Sequence, residues 1–296
     1  MQKIAVIGAG KWGSALAYAF SEKNEVVITS RTKRELNNFV TLGEALSCKY
    51  LVIAVPAQQV SQWLKDNFVF NGQKVLVVSK GIEAKTGKFL NEIYHEYVPE
   101  SNIAFLSGPS FAAEVIQALP TALVVNSKNM ELASEFAQMF PDFIKSYTSD
   151  DVIGAEIAGA YKNVIAIAAG ICEGLKLGKN AAAALISRGL VEMARFGISY
   201  GAKEDSFIGL SGAGDLFLTA SSTMSRNFRV GLGIAEGKTQ EKILEELGEV
   251  AEGIGTAYAL YEIATQNELY LPIAREVYEM LEGKSPLESL KDLLSK

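Results

Sequence analysis

The sequence predicts an α/β architecture in two parts: a mostly parallel sheet covered by helices, followed by an all-helical remainder. Three observations carry that expectation. A buried-strand run, Ile4-Ala5-Val6-Ile7, leads into G-x-G-x-x-G (Gly8, Gly10, Gly13) and then into small residues with a helical period. Strand-like and helix-like runs alternate from there to residue 149, as they do where parallel strands are joined by helical crossovers. At Ser149-Asp150-Asp151 the texture changes, and alanine-, leucine- and glutamate-rich helical stretches fill the rest. The expected division is therefore a Rossmann-type domain over residues 1–149 and an all-α domain over 150–296.

The glycine turn sets the register of the first half. Gly8 permits a tight turn, Gly10 lets the backbone approach a pyrophosphate, and Gly13 lets the helix pack closely on the strand. A helix opening near Trp12 aims free N–H groups and its positive dipole end at those phosphates. The second strand, Glu25–Thr29, ends at Ser30-Arg31, where NAD-specific sites carry an acid for the ribose 2′-hydroxyl. Arg31 cannot accept such a bond but suits a 2′-phosphate, which favours NADP(H) without excluding NAD(H). The alternative for Arg31, Lys33 and Arg34 is a solvated, basic helix start.

A short helical piece precedes the third strand, Tyr50–Val55, which stops at Pro56; Val60 and Leu64 then mark a helix. The fourth strand, Lys74–Ser79, runs into Lys80-Gly81, so Lys80 stands at a strand's carboxyl end, where open α/β sheets bind ligands. An exposed loop lysine is the other reading. Gly87–Tyr97 reads as a helix carrying His95 on or near the surface. Strand Ile103–Leu106 is followed by the turn Ser107-Gly108-Pro109-Ser110-Phe111, which presents a hydroxyl outward. Strand Ala122–Val125, helix Met130–Phe140 and strand Phe143–Tyr147 complete the pattern. Ser149 or Asp150 is the expected cap of the first long helix.

Composition excludes several classes. At 296 residues there is room for two domains sharing an extensive interface. A net charge of −6 argues against nucleic acid or an anionic membrane as partner. Cys48 and Cys172 form no disulfide or metal spacing, and no metal is expected. The apolar run Ile157–Cys172 is too short to span a bilayer and contains Lys162, and the start of the chain does not resemble a signal peptide. A cytoplasmic protein is expected. With His95 the single histidine, acid–base chemistry must come from other side chains.

Three stretches of the helical half look unlike packing. In Gly159-Ala160-Tyr161-Lys162-Asn163, Lys162 is the only charged residue between Glu156 and Glu173. An ammonium in apolar surroundings tends to lose its proton or gain a partner, and can then serve as an acid–base group near neutral pH. Snorkelling to water is the alternative. In Gly209-Leu210-Ser211-Gly212-Ala213-Gly214-Asp215, Asp215 either orients Lys162, accepts a substrate hydroxyl, or caps a helix. In Ser225-Arg226-Asn227, a hydroxyl, a guanidinium and an amide at a helix start form an oxyanion pocket, or Ser225 caps and Arg226 is solvated.

These motifs, with GAGKWGSALA, SKGIEAKTG, SGPSFAAE, AYKNVIAIAAGICEGL, LSGAGDLFLT, SRNFR and VAEGIGT in order, resemble the bacterial-type NAD(P)-dependent glycerol-3-phosphate dehydrogenases over nearly the whole chain. The resemblance implies that Lys162 is the general acid–base residue and that Lys80, Gly108, Ser110, Asp215, Ser225, Arg226 and Asn227 surround the substrate. It implies cofactor contacts from Lys11, Trp12, Arg31, Lys80, Ala112, Arg226, Val250 and Glu252, beside the glycines. It implies reduction of dihydroxyacetone phosphate to sn-glycerol 3-phosphate for phospholipid synthesis. NADPH is favoured over NADH on the strength of Arg31, and a homodimer is the expected assembly. A related hydroxy-acid or sugar-acid dehydrogenase and a non-catalytic dinucleotide sensor are the alternatives. Two departures stand out. Lys11 occupies a position where serine is frequent, and the segment between Arg31 and Tyr50 is shorter than in many members.

Overall fold

The computed structural model describes residues 2–295. Seven strands form one sheet: β1 (Lys3–Ile7), β2 (Glu25–Thr29), β3 (Tyr50–Ile53), β4 (Lys74–Val77), β5 (Ile103–Ser107), β6 (Thr121–Asn126) and β7 (Ile144–Ser149), in the order β2-β1-β3-β4-β5-β6-β7. All seven lie where the apolar runs place them. β3 and β4 each end two residues early, although Ala54 N–H still donates to Ile7 O and Val78 N–H to Ile53 O. Strand order reverses about β1, which opens a crevice beyond the carboxyl ends of β1 and β3, next to the glycine turn.

Five strands are mutually parallel, but β6 runs antiparallel to β5, and β7 is parallel to β6. The connection between β5 and β6 explains the reversal. It holds only a four-residue helix, Ala112–Val115, too little for a helical crossover, whereas helix Met130–Met139 carries the chain over from β6 to β7. Strand residues such as Ile4, Val6, Leu51, Val52 and Leu76 are fully buried, as expected for a sheet covered on both faces.

After β7 the described residues form helices only. The central one, Val152–Gly174, is capped by Asp151, whose Oδ1 accepts from Gly154 N–H at 3.2 Å. Neither expected cap serves: Ser149 is still paired with Asn126 in the sheet, and Asp150 meets the Lys203 ammonium at 2.6 Å. The helix is also longer than its apolar run. Its 23 residues would suffice to cross a membrane by length and composition, but 94% of its most apolar window is buried inside the protein. A helix apolar on every side is what a core position demands. Against it lies helix Arg226–Ala235, with Gly170 and Gly231 at the crossing. A Cβ at Gly170 would stand 2.0 Å from Phe228 O, and one at Gly231 2.0 Å from Ile167 O. The backbones therefore touch, and this fixes Lys162 on the central helix relative to the Ser225-Arg226-Asn227 turn.

Candidate active site

The glycine turn has the geometry its residues require. Gly8 sits at φ 113°, and Gly13 packs so tightly that a Cβ would stand 1.8 Å from Gly8 O. A Cβ at Gly10 would meet nothing within 4 Å, leaving space before the first amides of helix Lys11–Ser21. The Trp12 ring N–H donates to Val78 O at 3.0 Å, tying that helix start to the end of β4. Arg31 is exposed just past β2. Lys11, with a side chain 77% exposed, reaches Glu249 at 2.5 Å.

Beyond the crevice two lysines meet one carboxylate. Lys80, just after β4, donates to Gly108 O at 3.2 Å and to Asp215 Oδ2 at 2.6 Å. Its stem lies along the central helix at Gly159, where a Cβ would come within 3.1 Å of Lys80 Cδ. Lys162 donates to Asp215 Oδ1 at 2.5 Å and to Thr219 Oγ1 at 2.9 Å. Asp215 is the first residue of helix Asp215–Ala220, but its carboxylate turns to the lysines and caps nothing. With its side chain 1% exposed, the pair is cut off from bulk water.

Burial governs the electrostatics. It pushes the Lys162 ammonium down to about 8, helped by Lys80 and Arg226 and opposed by Asp215. Burial alone would raise the Asp215 carboxyl, but Lys162 and Lys80 outweigh it and hold that carboxyl below its usual range. With both lysines charged, the cluster carries one net positive charge in a poorly solvated place. It can hold an anion or give up a proton near neutral pH.

The remaining predicted residues divide by exposure. Gly108 (φ 105°) continues from β5, and Ser110 Oγ lies 3.4 Å from Gly108 O, a long donation; Ala112 opens the short helix beside them. Ser225 caps its helix, accepting from Phe228 N–H at 3.2 Å. Asn227 is buried, donating to Asn163 Oδ1 and accepting from Gly253 N–H, each at 2.9 Å. Of this trio only Arg226 presents its polar end outward, 43% exposed and 3.8 Å from Glu249. Val250 is half-exposed nearby.

Glu252 begins helix Glu252–Gln266 and is half-buried, with its Oε2 atom shielded from solvent. Its Oε1 accepts from Ala57 N–H at 3.2 Å, its Oε2 has no partner among the described residues, and burial raises the carboxyl to about 7. An orphaned buried oxygen beside Gly81, with the open Gly10 turn, fits a dinucleotide laid along the carboxyl ends of the strands. Residue types alone marked Glu252 only as a helix-starting acid. They also passed over Thr219, one helical turn after Asp215, and Glu249, which stands between Lys11 and Arg226. His95 is exposed, and no acid or thiol cluster able to hold a metal occurs among the described residues.

Comparison with known proteins agrees with this arrangement. Residues 151–292 match the family profile described as NAD-dependent glycerol-3-phosphate dehydrogenase C-terminus, and residues 3–43 and 34–133 match the corresponding N-terminus profile. The chain is 74% identical over 295 residues to a glycerol-3-phosphate dehydrogenase [NAD(P)+] of Sulfurimonas denitrificans, covering 100% of both. It is 60% identical to the protein of that name from Nitratiruptor, covering 99% of this chain and 98% of the relative. The crystal structure of glycerol-3-phosphate dehydrogenase from Coxiella burnetii superposes with a TM-score of 0.91 at 30% identity, covering 100% of this chain and 99% of that one. A crevice built for a dinucleotide, a buried lysine–aspartate pair and full-length similarity thus converge: this chain belongs to the NAD-dependent glycerol-3-phosphate dehydrogenase family.

Proposed function

We propose that this chain transfers a hydride reversibly between NAD(P)H and dihydroxyacetone phosphate, giving sn-glycerol 3-phosphate, the backbone of glycerophospholipids. The observation that carries the proposal is the buried contact of Lys162 with Asp215 and Thr219, beside Lys80. The bound nicotinamide supplies the hydride that adds to C2 of the substrate. Negative charge then gathers on the former carbonyl oxygen, and Lys162 Nζ gives it a proton, a role typically worth ~10²–10⁴-fold. Asp215 keeps Lys162 protonated against the cost of burial, and Thr219 fixes the direction of its N–H bonds. In glycerol 3-phosphate oxidation the same nitrogen, neutral, takes the proton back.

Arg226 and the surplus positive charge of the lysine cluster hold the phosphate. The amides at the start of helix Lys11–Ser21 and Glu252 hold the cofactor, with Lys11, Trp12, Ala112 and Val250 along its path. Arg31, exposed past β2 with no acid in that position, supports preference for NADPH. Residues 1–149 and 150–296 act as cofactor and substrate domains in this proposal, and the enzyme works in the cytoplasm as a homodimer. A buried lysine with its proton poised near neutral pH is of no use to a dinucleotide sensor. The test is an NADPH oxidation assay with dihydroxyacetone phosphate beside a panel of 2-keto acids. Turnover of the phosphate alone is expected, and preference for a keto acid would overturn the substrate assignment.

A further inference from the structure

The turn that delivers Asp215 is a π-turn, Leu210–Gly214, closed by Gly214 N–H donating to Gly209 O at 3.1 Å. Such turns add a residue to the helical cycle and redirect the chain beyond them. Within the chain, Gly212 lets this turn close against Phe207 O, where a Cβ would stand at 2.2 Å. Its anchor comes from the sheet. Ser211 Oγ lies 2.6 Å from Ser107 Oγ, at the end of β5, and Asn126 Nδ2 on β6 donates to Ser107 Oγ at 2.8 Å. All three side chains are buried.

The residue after Ser107 is Gly108, whose carbonyl accepts from Lys80. Lys80 also binds Asp215, four residues beyond Ser211. The contacts therefore close a ring: Ser107 to Ser211, along the π-turn to Asp215, across to Lys80, and back through Gly108. We infer that Ser211 and Ser107 are positioning residues that set the Asp215 carboxylate against Lys162, with Asn126 holding the Ser107 hydroxyl in place. The inference rests on the proposed role of Lys162.

Two buried hydroxyls facing each other can be removed together at modest cost in stability, because neither leaves the other unpaired and Asn126 Nδ2 keeps the Phe105 and Val124 carbonyls as acceptors. What the pair supplies is register between the sheet and the turn, as satisfied buried polar contacts do. A misplacement of about 1 Å near a reacting centre can cost as much as ~10²-fold in rate.

The test compares Ser107→Ala, Ser211→Ala and the double variant in the full chain, with NADPH binding measured by fluorescence to confirm that each is folded. The expected result is a fall of about tenfold or more in kcat with little change in NADPH affinity. The pH profile separates positioning from packing. The charged groups acting on Lys162 are Asp215, Lys80 and Arg226, and Asp215 alone raises its pKa. Loosening Asp215 therefore lowers that pKa, so the alkaline limb of dihydroxyacetone phosphate reduction moves to lower pH in each variant. The double variant loses no more than the worse single. Should an alanine variant fail to bind NADPH, Ser211→Cys, nearly isosteric with a weak donor, must show the same shift. Unchanged kcat and alkaline limb in variants that bind NADPH overturn the positioning role, and so do losses that multiply in the double variant. If Lys162→Ala is inactive in the same assay, that failure leaves the proposed function standing.

Discussion

Lys162 Nζ lies 2.5 Å from Asp215 Oδ1 in a place almost closed to water, so the proton on that nitrogen is set by a contest between burial and one carboxylate. Burial wins, bringing the ammonium down to about 8. Because reduction uses the protonated form, kcat for dihydroxyacetone phosphate should fall as pH rises through about 8, while glycerol 3-phosphate oxidation, which needs the neutral form, should rise. Asp215→Asn removes the one influence holding the proton on, so its alkaline limb should lie at lower pH. Steady-state pH profiles in both directions check this, and parallel profiles for the two directions would contradict it.

Arg31 decides between cofactors. Arg31→Ala should reduce kcat/KM for NADPH by about tenfold or more and leave NADH nearly unchanged, because a guanidinium gains from the 2′-phosphate alone. Equal losses for both cofactors would show that Arg31 does not read that phosphate.

Arg226 reads the substrate anion. Arg226→Ala should lower kcat/KM for dihydroxyacetone phosphate by about 10–30-fold at saturating NADPH. Unphosphorylated dihydroxyacetone should change much less. If both substrates lose equally, phosphate recognition lies elsewhere.

Glu156 gives a stability prediction independent of turnover. Six residues before Lys162 on the central helix, it is buried and accepts from Asn91 N–H at 3.0 Å. Burial raises its carboxyl to about 8. Between its unfolded value near 4.5 and about 8 the folded chain holds a proton that the unfolded chain releases, so this residue makes stability fall as pH rises through that window. Glu156→Gln keeps an acceptor for Asn91 and removes the titration. The variant should melt higher than the unaltered chain at pH 8 and about equally at pH 4.5, each kcal/mol shifting Tm by ~2–4 °C. A constant difference at both pH values would contradict the linkage.

Much of the fold is legible because the strands are apolar runs broken by glycine and proline, a signal that survives without tertiary context. Lys162 was equally readable, as one charge in a long apolar helix. The direction of β6 was not, since it depends on the short helix Ala112–Val115 being too brief for a crossover. The π-turn left no periodic trace. Gly212 is required there because a Cβ would stand 2.2 Å from Phe207 O, a contact made only after folding. Glu252 looks like any helix-starting acid, and its partner, the Ala57 N–H, lies in the other half of the chain. The Ser225-Arg226-Asn227 stretch reads either as three ligand groups or as a cap with a solvated arginine, and in the fold Ser225 caps its helix while Asn227 bonds Asn163 and Gly253. A buried amide between helices must find partners, and Asn163 and Gly253 supply them.

The central claim is that Lys162 donates the proton, and Lys162→Ala tests it most directly. With NADPH binding first confirmed, a rapid-mixing measurement of NADPH oxidation by dihydroxyacetone phosphate reports the chemical step alone. The account predicts a rate at least ~10²-fold below that of the unaltered chain, with cofactor affinity retained. A variant that binds NADPH and oxidises it at nearly the original rate would contradict the account.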